Sequence, residues 1–297
     1  MAIKHSYFIL ILSLFLSHPA FAKPFTIVVL PDTQHMPASK NSATPEDFED
    51  QISWILDNKE KLNIAFVSHV GDVVQTGNNT KQWDIASRIM GRLDDVIPYG
   101  IAPGNHDADE MWSDNYTSWS QYFPASRFEG KPWFGGSMDA TNVANYQLFS
   151  VEGLDFISLH LRWGKNPEVL KWASDVLDQH PNRRAIITTH EYIGHNRQRT
   201  AIGQTIWDNV VKDHNNVFLV LAGHHSLSAL LSTPNSFGNQ VIQTVQDYQD
   251  TKPEPCYIRY YTFFPEENRV EAYTYSTKYK RFDLSSDGQF SFEYKMQ

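Results

Sequence analysis

Residues 97–107, IPYGIAPGNHD, pass from a short apolar run through proline and glycine into an amide, an imidazole and a carboxylate. An apolar run of that length bounded by turn residues reads as a strand buried on both faces. Taken alone, the GNHD at its end is equally consistent with a turn holding Asn in a left-handed conformation. The decision rests on the residues that end the other apolar runs of the chain.

Five such runs flank it before residue 226: FTIVVL (25–30), IAFVSHV (64–70), LDFISLH (154–160), AIITTH (185–190) and VFLVLAG (217–223). Helical periods lie between them, in TPEDFEDQISWILDNKEKL (44–62), TKQWDIASRIMGRLDDV (80–96), NPEVLKWASDVLDQH (166–180) and IGQTIWDNVVKDHN (202–215). The first opens on Thr44 as an N-cap, with Pro45 in the first turn and acids after it, as a helix start requires. Strands alternating with helices argue for an α/β sheet with covering helices.

Beyond residue 226 the helical period stops. QVIQTV (240–245), CYIRYYTFF (256–264), VEAYTYS (270–276) and FSFEYK (290–295) alternate or run apolar between Asn, Gly and Pro, which reads as an antiparallel meander. It is either a separate β domain or, as the absence of a linker over 226–240 favours, a β-rich 227–297 segment completing a second sheet in one domain spanning 23–297.

The polar residues that end the early runs share a pattern. FTIVVL leads to Asp32, IAFVSHV to Asp72, IPYGIAP to Asn105, His106 and Asp107, AIITT to His190, and VFLVLA to His224 and His225. In an open α/β sheet, groups at the carboxyl ends of strands converge on one crevice. Carboxylate, amide oxygen and imidazole without thiolate suit Mn, Fe or Zn, and this many donors suit a pair of divalent ions. Two ions about 3.5 to 4 Å apart can clamp both oxygens of a phosphoryl displacement and turn a shared water into hydroxide. Gly71, Gly104 and Gly223 fit the tight turns that aim these groups.

The ordered set PDTQ, GDVV, GNHD, TTH and GHH over residues 25–226 resembles the calcineurin-like metallophosphoesterase superfamily, whose pattern is D-x-H, G-D-x-x, G-N-H-[DE], H, G-H-x-H. The PDTQ opening is similar to a bacterial branch of it. The resemblance implies a four-layer αββα sandwich, two mixed β-sheets flanked by helices. It also implies a phosphoesterase that cleaves a mono- or diester with metal-bound hydroxide. Carried over residue by residue, it makes Asp72 a bridging ligand, with Asn105, His190 and His224 on one metal and Asp32 on the other. His106 would be a donor beside the phosphate, with Asp107 orienting its imidazole.

Two residues depart from the pattern, and both fall on the Asp32 metal. Gln34 stands where the family has His, and Ser226 replaces the last His of G-H-x-H. Gln34 still offers an amide oxygen; Ser226 is a poor ligand, which leaves one firm site and one weakened. His225, His35 and Gln75 are nearby substitutes, although His225 should point away from His224 on an extended segment. Arg162 suits either a bidentate phosphate contact or a salt bridge, and His195 either substrate contact or solvent. His69 packs within its strand or supports the metal from behind. The aromatics of residues 112–134 form either a wall that stacks a nucleotide or aryl phosphate or a satellite core under a long loop.

Composition sets the remaining bounds. MAIKHSYFILILSLFLSHPAFA (1–22) has a lysine, a short apolar core and an Ala-Phe-Ala site, the layout of a cleaved secretory signal, or failing cleavage an N-terminal anchor. The expected mature protein is exported, periplasmic or secreted, with no stable membrane span. Its formal net charge of −9 falls to about −10 without Lys4. An acidic chain with no basic run does not track a nucleic-acid backbone; it can still hold a small phosphorylated substrate where bound cations dominate the local field. Cys256 is the single cysteine, so no intrachain disulfide is available. The rival to an enzyme is a binding protein, for a ligand or a glycan, that keeps the fold and has lost turnover.

Overall fold

Strand β1 (Phe25–Leu30) is buried along its whole length, yet its side chains divide between two cores. Phe25, Ile27 and Val29 enter one cluster, and Val28 and Leu30 another. A period of two along a strand sends alternate residues to opposite faces. A strand apolar on both faces therefore needs a layer on each side.

The structure, a computed structural model, describes residues 21–297, so the leader expected over 1–22 lies, except for its last two residues, outside them. After β1 come α1 (Pro45–Asn58), β2 (Ile64–His69), α2 (Thr80–Met90), β3 (Tyr99–Ile101), α3 (Thr117–Tyr122) and α4 (Ala125–Phe128). Next are β4 (Phe134–Ser137), β5 (Ala144–Val151), β6 (Leu154–Leu161), α5 (Pro167–Gln179), β7 (Arg184–Thr189), α6 (Ala201–Ile206) and β8 (Val217–Ala222). The chain ends with β9 (Ser228–Pro234), β10 (Gln240–Gln246), β11 (Tyr257–Phe264), β12 (Arg269–Ser276), β13 (Arg281–Phe282) and β14 (Phe290–Glu293). Among the described residues no helix is long and apolar enough to cross a membrane.

Two seven-stranded sheets result. The first runs β13-β12-β11-β1-β2-β3, with β14 also on β12, and the second β4-β5-β6-β7-β8-β10-β9. Both are mixed: β1 is parallel to β2 and antiparallel to β11, and β8 is parallel to β10, which is antiparallel to β9. Phe66, Phe149, Phe156, Phe218 and Phe263 pack between the sheets. Phe48, Ile52, Trp83 and Ile89 of α1 and α2 cover the outer face of the first, and Val169, Leu170, Ala173 and Ile206 of α5 and α6 that of the second. This is the four-layer αββα arrangement.

The strands beyond residue 226 do not complete one sheet. β9 and β10 join the second sheet, whereas β11 to β14 extend the first, with Phe263 opposite Phe25. The division follows from burial: Tyr261 and Phe263 face the same inter-sheet cluster as Phe25 and Ile27, and an edge beside β1 is where that apolar face is covered. Helix α2 stops at Met90 and continues as a single tighter turn over Gly91–Leu93, short of the span expected from its period.

Candidate metal centre

The carboxyl ends of β1, β2, β3 and β8 open on one cavity of about 240 Å³, and His190, at the end of β7, lies buried against Asp72. Asp72 follows β2 with φ of 50°, and His224 follows β8 with φ of 70°. Left-handed backbone at non-glycine residues costs about 1 to 3 kcal/mol and persists where surrounding packing enforces it. Here the packing is against glycine. A Cβ on Gly104 would lie 2.1 Å from Asp72 Oδ1, and one on Gly223 2.0 Å from Asp32 Oδ1. Only Gly71 of the three has a positive φ, 107°. Gly104 and Gly223 therefore serve close approach of a carboxylate rather than the turns expected of them.

Four donor atoms meet around His190, which is fully buried. Its Nδ1 lies 3.1 Å from the Val70 carbonyl oxygen, which can only accept, so the ring proton sits there and the Nε2 lone pair is free. That Nε2 is 3.1 Å from Asp72 Oδ2, 3.1 Å from Asn105 Oδ1 and 3.2 Å from His224 Nδ1. Asp72, His190 and His224 each place a donor atom within 4.8 Å of the others, spacings that suit ligation of a single cation by several donors. Across the ring of His224, Nε2 faces Glu191 Oε2 at 3.6 Å, and Glu191 accepts from Trp163 Nε1 at 2.9 Å. A carboxylate behind a ligating histidine is the support such a ring needs.

The electrostatics fit the same group. Burial alone would depress His190, but the charges of Asp72 and Asp32 outweigh it and push its pKa up to about 10. Burial raises Asp32 well above the carboxylate range, with Asp247 adding repulsion. Burial also works against ionised Asp72, yet His190 prevails and the net direction is down. His224 and His69 are each driven down to about 3, by burial first and His190 second. Among the described residues no Lys or Arg pairs with Asp32, Asp72, Asp107 or Asp247. A proton on His190 and a dication at its Nε2 are alternative answers to this buried negative field.

His106 is half-buried in the cavity wall. Its Nδ1 lies 2.9 Å from Gln75 Nε2 and 2.8 Å from the Gln75 carbonyl oxygen. When Nδ1 accepts from the amide, Nε2 carries the proton that a leaving group needs; when Nδ1 donates to the carbonyl, a neutral ring has its lone pair at Nε2. Asp107 does not orient this ring, contrary to expectation. Its carboxylate accepts from the backbone of Gly104 at 2.8 Å and Val74 at 3.0 Å, holding the β3 turn, while Gln75 holds His106. Asp72 Oδ1 in turn accepts from the His106 backbone N–H at 2.8 Å.

The remaining residues singled out from sequence divide clearly. Asp32 accepts from the His224 backbone N–H at 3.0 Å and lies 4.0 Å from His190 Nε2. Gln34 lines the cavity with its Oε1 buried and unpartnered. His35 also lines it, but its Nδ1 is tied to Glu254 at 2.9 Å. Ser226 is not in the cavity lining, but its Oγ donates at 2.8 Å to Oδ2 of Asp250, which is. His225 packs edge-on between His224 and His195, at ring distances of 4.6 and 4.8 Å, outside the donor cluster. Exposed His195 does not reach the cavity lining. Arg162 pairs with Asp114 and lies over Tyr116, so it is a salt bridge and not a wall of the cavity. His69 is a support: its ring meets Thr33 Oγ1 at 3.0 Å and accepts the Gly71 N–H at 3.1 Å.

The aromatic segment 112–134 splits. Trp119, Phe123, Phe128 and Trp133 are core residues packed with Trp83 and Tyr99. Trp112 alone stands at the cavity, half exposed, edge-on to His224 at 5.6 Å and to Trp163 at 5.2 Å. Sequence reasoning missed Glu191, Lys40, Asp247 and Gln249. For Asp247 a signal existed, since it ends the apolar run of β10 as Asp32 and Asp72 end theirs. A larger groove of about 700 Å³ beside Asp84, Tyr122 and Arg127 gathers no comparable donors.

Comparison with known proteins agrees with this geometry. The model of the calcineurin-like phosphoesterases matches residues 25–226, and the chain belongs to that metal-dependent family of phosphoesterases. The uncharacterized protein YvnB of Bacillus subtilis (strain 168) is 37% identical over 261 residues, covering 85% of this chain. The chain spans only 20% of the length of that relative. Among solved structures, the purple acid phosphatase PPD1 from yellow lupin (Lupinus luteus) seeds superposes with a TM-score of 0.62 at 13% identity, over 94% of this chain and 55% of that one. GAP50, the anchor in the inner membrane complex of Plasmodium, does so with a TM-score of 0.55 at 13% identity, over 92% and 89%. At that identity the two structures speak for the fold.

Proposed function

We propose that the chain is an exported hydrolase of phosphate mono- or diesters, working at the Asp72, Asn105, His190 and His224 centre. The observation that carries this is the free Nε2 of His190 with three further donors within 3.2 Å of it. Cations held there would polarise phosphoryl oxygens and lower the pKa of a coordinated water. The protein's own residues do the rest. His106 Nε2 donates to the leaving oxygen in the state in which its Nδ1 accepts the Gln75 side-chain N–H. Lys40, which bonds Gln75 Oε1 at 3.0 Å beside the cavity, offsets charge on the phosphoryl group at the mouth.

Trp112 supplies a flat apolar wall next to His224, which favours esters whose alcohol is an aryl group or a nucleoside. The leader pattern of residues 1–22 supports export. A second reading, a binding protein without turnover, draws support from Ser226, which is bonded to Asp250 and offers the centre no imidazole. Hydrolysis of p-nitrophenyl phosphate and its bis ester, with Mn added, separates the two. The enzyme reading expects turnover lost in Asp72→Ala and His224→Ala, and a raised KM with kcat little changed in Trp112→Ala. Full turnover in Asp72→Ala refutes it.

A further inference from the structure

The loop of residues 105–112 runs between two cavities. The Trp112 N–H closes it on the Asn105 carbonyl oxygen at 3.4 Å, and Trp112 has a left-handed φ of 73°. The consecutive side chains of Met111 and Trp112 part there. Trp112 lines the cavity of the metal centre, and Met111 lines a second cavity of about 260 Å³ with Thr76, Gly77 and Asp109. His106 and Gln75 line both and form the partition between them.

The backbone fixes the second cavity. A Cβ on Gly77 would lie 1.9 Å from the Ala108 carbonyl oxygen, so the chain after Gln75 runs directly against the chain after Asp107. Asp109 is held twice: its N–H donates to the Asn115 carbonyl oxygen at 2.8 Å, and its Oδ1 accepts from the Ser118 N–H at 3.0 Å. No Lys or Arg lines this cavity, so nothing of opposite fixed charge faces the Asp109 carboxylate across it. Met111 is half exposed and adds apolar surface.

The shape of an ester assigns the two cavities. A phosphodiester carries two alcohol arms that diverge from a tetrahedral phosphorus, whereas a monoester carries one. The departing arm is the one whose oxygen meets the proton on His106 Nε2, and His106 borders the second cavity. The other arm stays in the metal cavity, where Trp112 stands. A volume of about 260 Å³ falls below the roughly 300 to 1,000 Å³ of sites for drug-sized ligands, so the departing alcohol is small. A carboxylate wall without a cation repels an anionic alcohol and attracts an ammonium group, and Met111 covers the methylenes of such an alcohol.

We propose that the cavity of Thr76, Gly77, Asp109 and Met111 receives the departing alcohol of a phosphodiester, a small alcohol bearing an ammonium group, while Trp112 holds the retained arm. This rests on the phosphoesterase reading above and names its substrate class. The oxygen of water bonds to phosphorus, the bond from phosphorus to the ammonium alcohol breaks, and the oxygen of that alcohol takes the His106 proton. A proton of the water restores the ring, and the retained arm leaves as its monoester.

The test uses the full chain with Mn added, on benzyl phosphocholine and on its uncharged isostere benzyl 3,3-dimethylbutyl phosphate, with products separated by chromatography. Wild type is expected to release choline and benzyl phosphate, with kcat/KM about fivefold above the isostere, the order that an ion pair at a partly exposed carboxylate yields. Asp109→Asn should bring the ratio of the two kcat/KM values near one, and Asp109→Lys below one. Loss of structure slows both esters and does not produce these shifts. Met111→Lys, which sets a cation in the same cavity from an exposed position, should also lower the ratio, and it decides the matter if the Asp109 variants fail to fold. A wild-type ratio near one, an unchanged ratio in Asp109→Asn and Met111→Lys, or release of benzyl alcohol with phosphocholine overturns the proposal. If bis-p-nitrophenyl phosphate is still hydrolysed in that case, the phosphoesterase reading stands; if none of the three esters is hydrolysed, both fall.

Discussion

Replacing Gly104 by alanine puts a methyl group where the Asp72 carboxylate now lies. The added Cβ would stand 2.1 Å from Asp72 Oδ1 and 2.5 Å from the Asp72 backbone nitrogen. Ordinary contact begins near 3.4 Å, so the carboxylate must retreat by more than an ångström. Rotating the side chain does not suffice, because the backbone nitrogen is also too close. The displacement breaks the 2.8 Å bond from the His106 N–H to Asp72 and moves the donor atom 3.1 Å from His190. Overpacking of this kind costs about 1 to 3 kcal/mol of stability, and a shift of about 1 Å in a reacting group lowers turnover on the order of 100-fold. Gly91→Ala is the control: the nearest atom to its Cβ is the flexible guanidinium end of Arg127, 3.4 Å away, so its stability should change by less than about 1 kcal/mol. The assays are kcat/KM on bis-p-nitrophenyl phosphate, bound Mn and the melting temperature. If Gly104→Ala keeps wild-type Mn content and turns over within threefold of wild type, the seating of Asp72 against Gly104 is wrong.

Acid should weaken the fold through His69 and His160, both fully buried and both lowered from 6.5 to about 3, by burial first. Their folded pKa lies below the unfolded one, so their contribution is intact above pH ~6.5 and is lost as pH falls toward ~3. At pH 5 each costs ~2 kcal/mol, at about 1.4 kcal/mol per unit. Because raised Asp32 and His190 act in the opposite direction, the measurement compares the change between pH 7 and pH 5 in urea unfolding of metal-free wild type and His160→Gln, and a change within about 1 kcal/mol of wild type in the variant would refute the neutral burial of His160. Chelation should lower the melting temperature, because an ion at 100 times its Kd stabilises by about 2.7 kcal/mol; an unchanged melt with EDTA contradicts a resident ion. Gln75→Leu should lower kcat about 10- to 100-fold, leave KM nearly constant and shift one limb of the pH–rate profile. An unaltered profile removes Gln75 from the control of His106.

Much of the centre is legible in the sequence because its residues obey a local grammar. Asp32, Asp72, Asn105, His190 and His224 each follow an apolar strand, and parallel strands bring their carboxyl ends to one edge. The strand β1 is legible to the residue, and helix α1 by its capping threonine and Pro45. The distribution of the C-terminal strands is not. Alternation in CYIRYYTFF marks a strand, but nothing local says that its neighbour is β1, more than two hundred residues earlier.

The same division separates the roles within the site. Sequence by itself determined the donor chemistry, the strand-end positions and the two absent imidazoles at Gln34 and Ser226, because residue type and strand order are properties of the chain. Only the tertiary structure decided that Asp107 serves the β3 backbone and Gln75 serves His106. Only it separated Trp112 from the aromatic core and brought Gln249 to the cavity. The physical reason is that a side chain's role depends on which polar partner reaches it first, and those partners come from strands distant in sequence and adjacent only once the two sheets have packed.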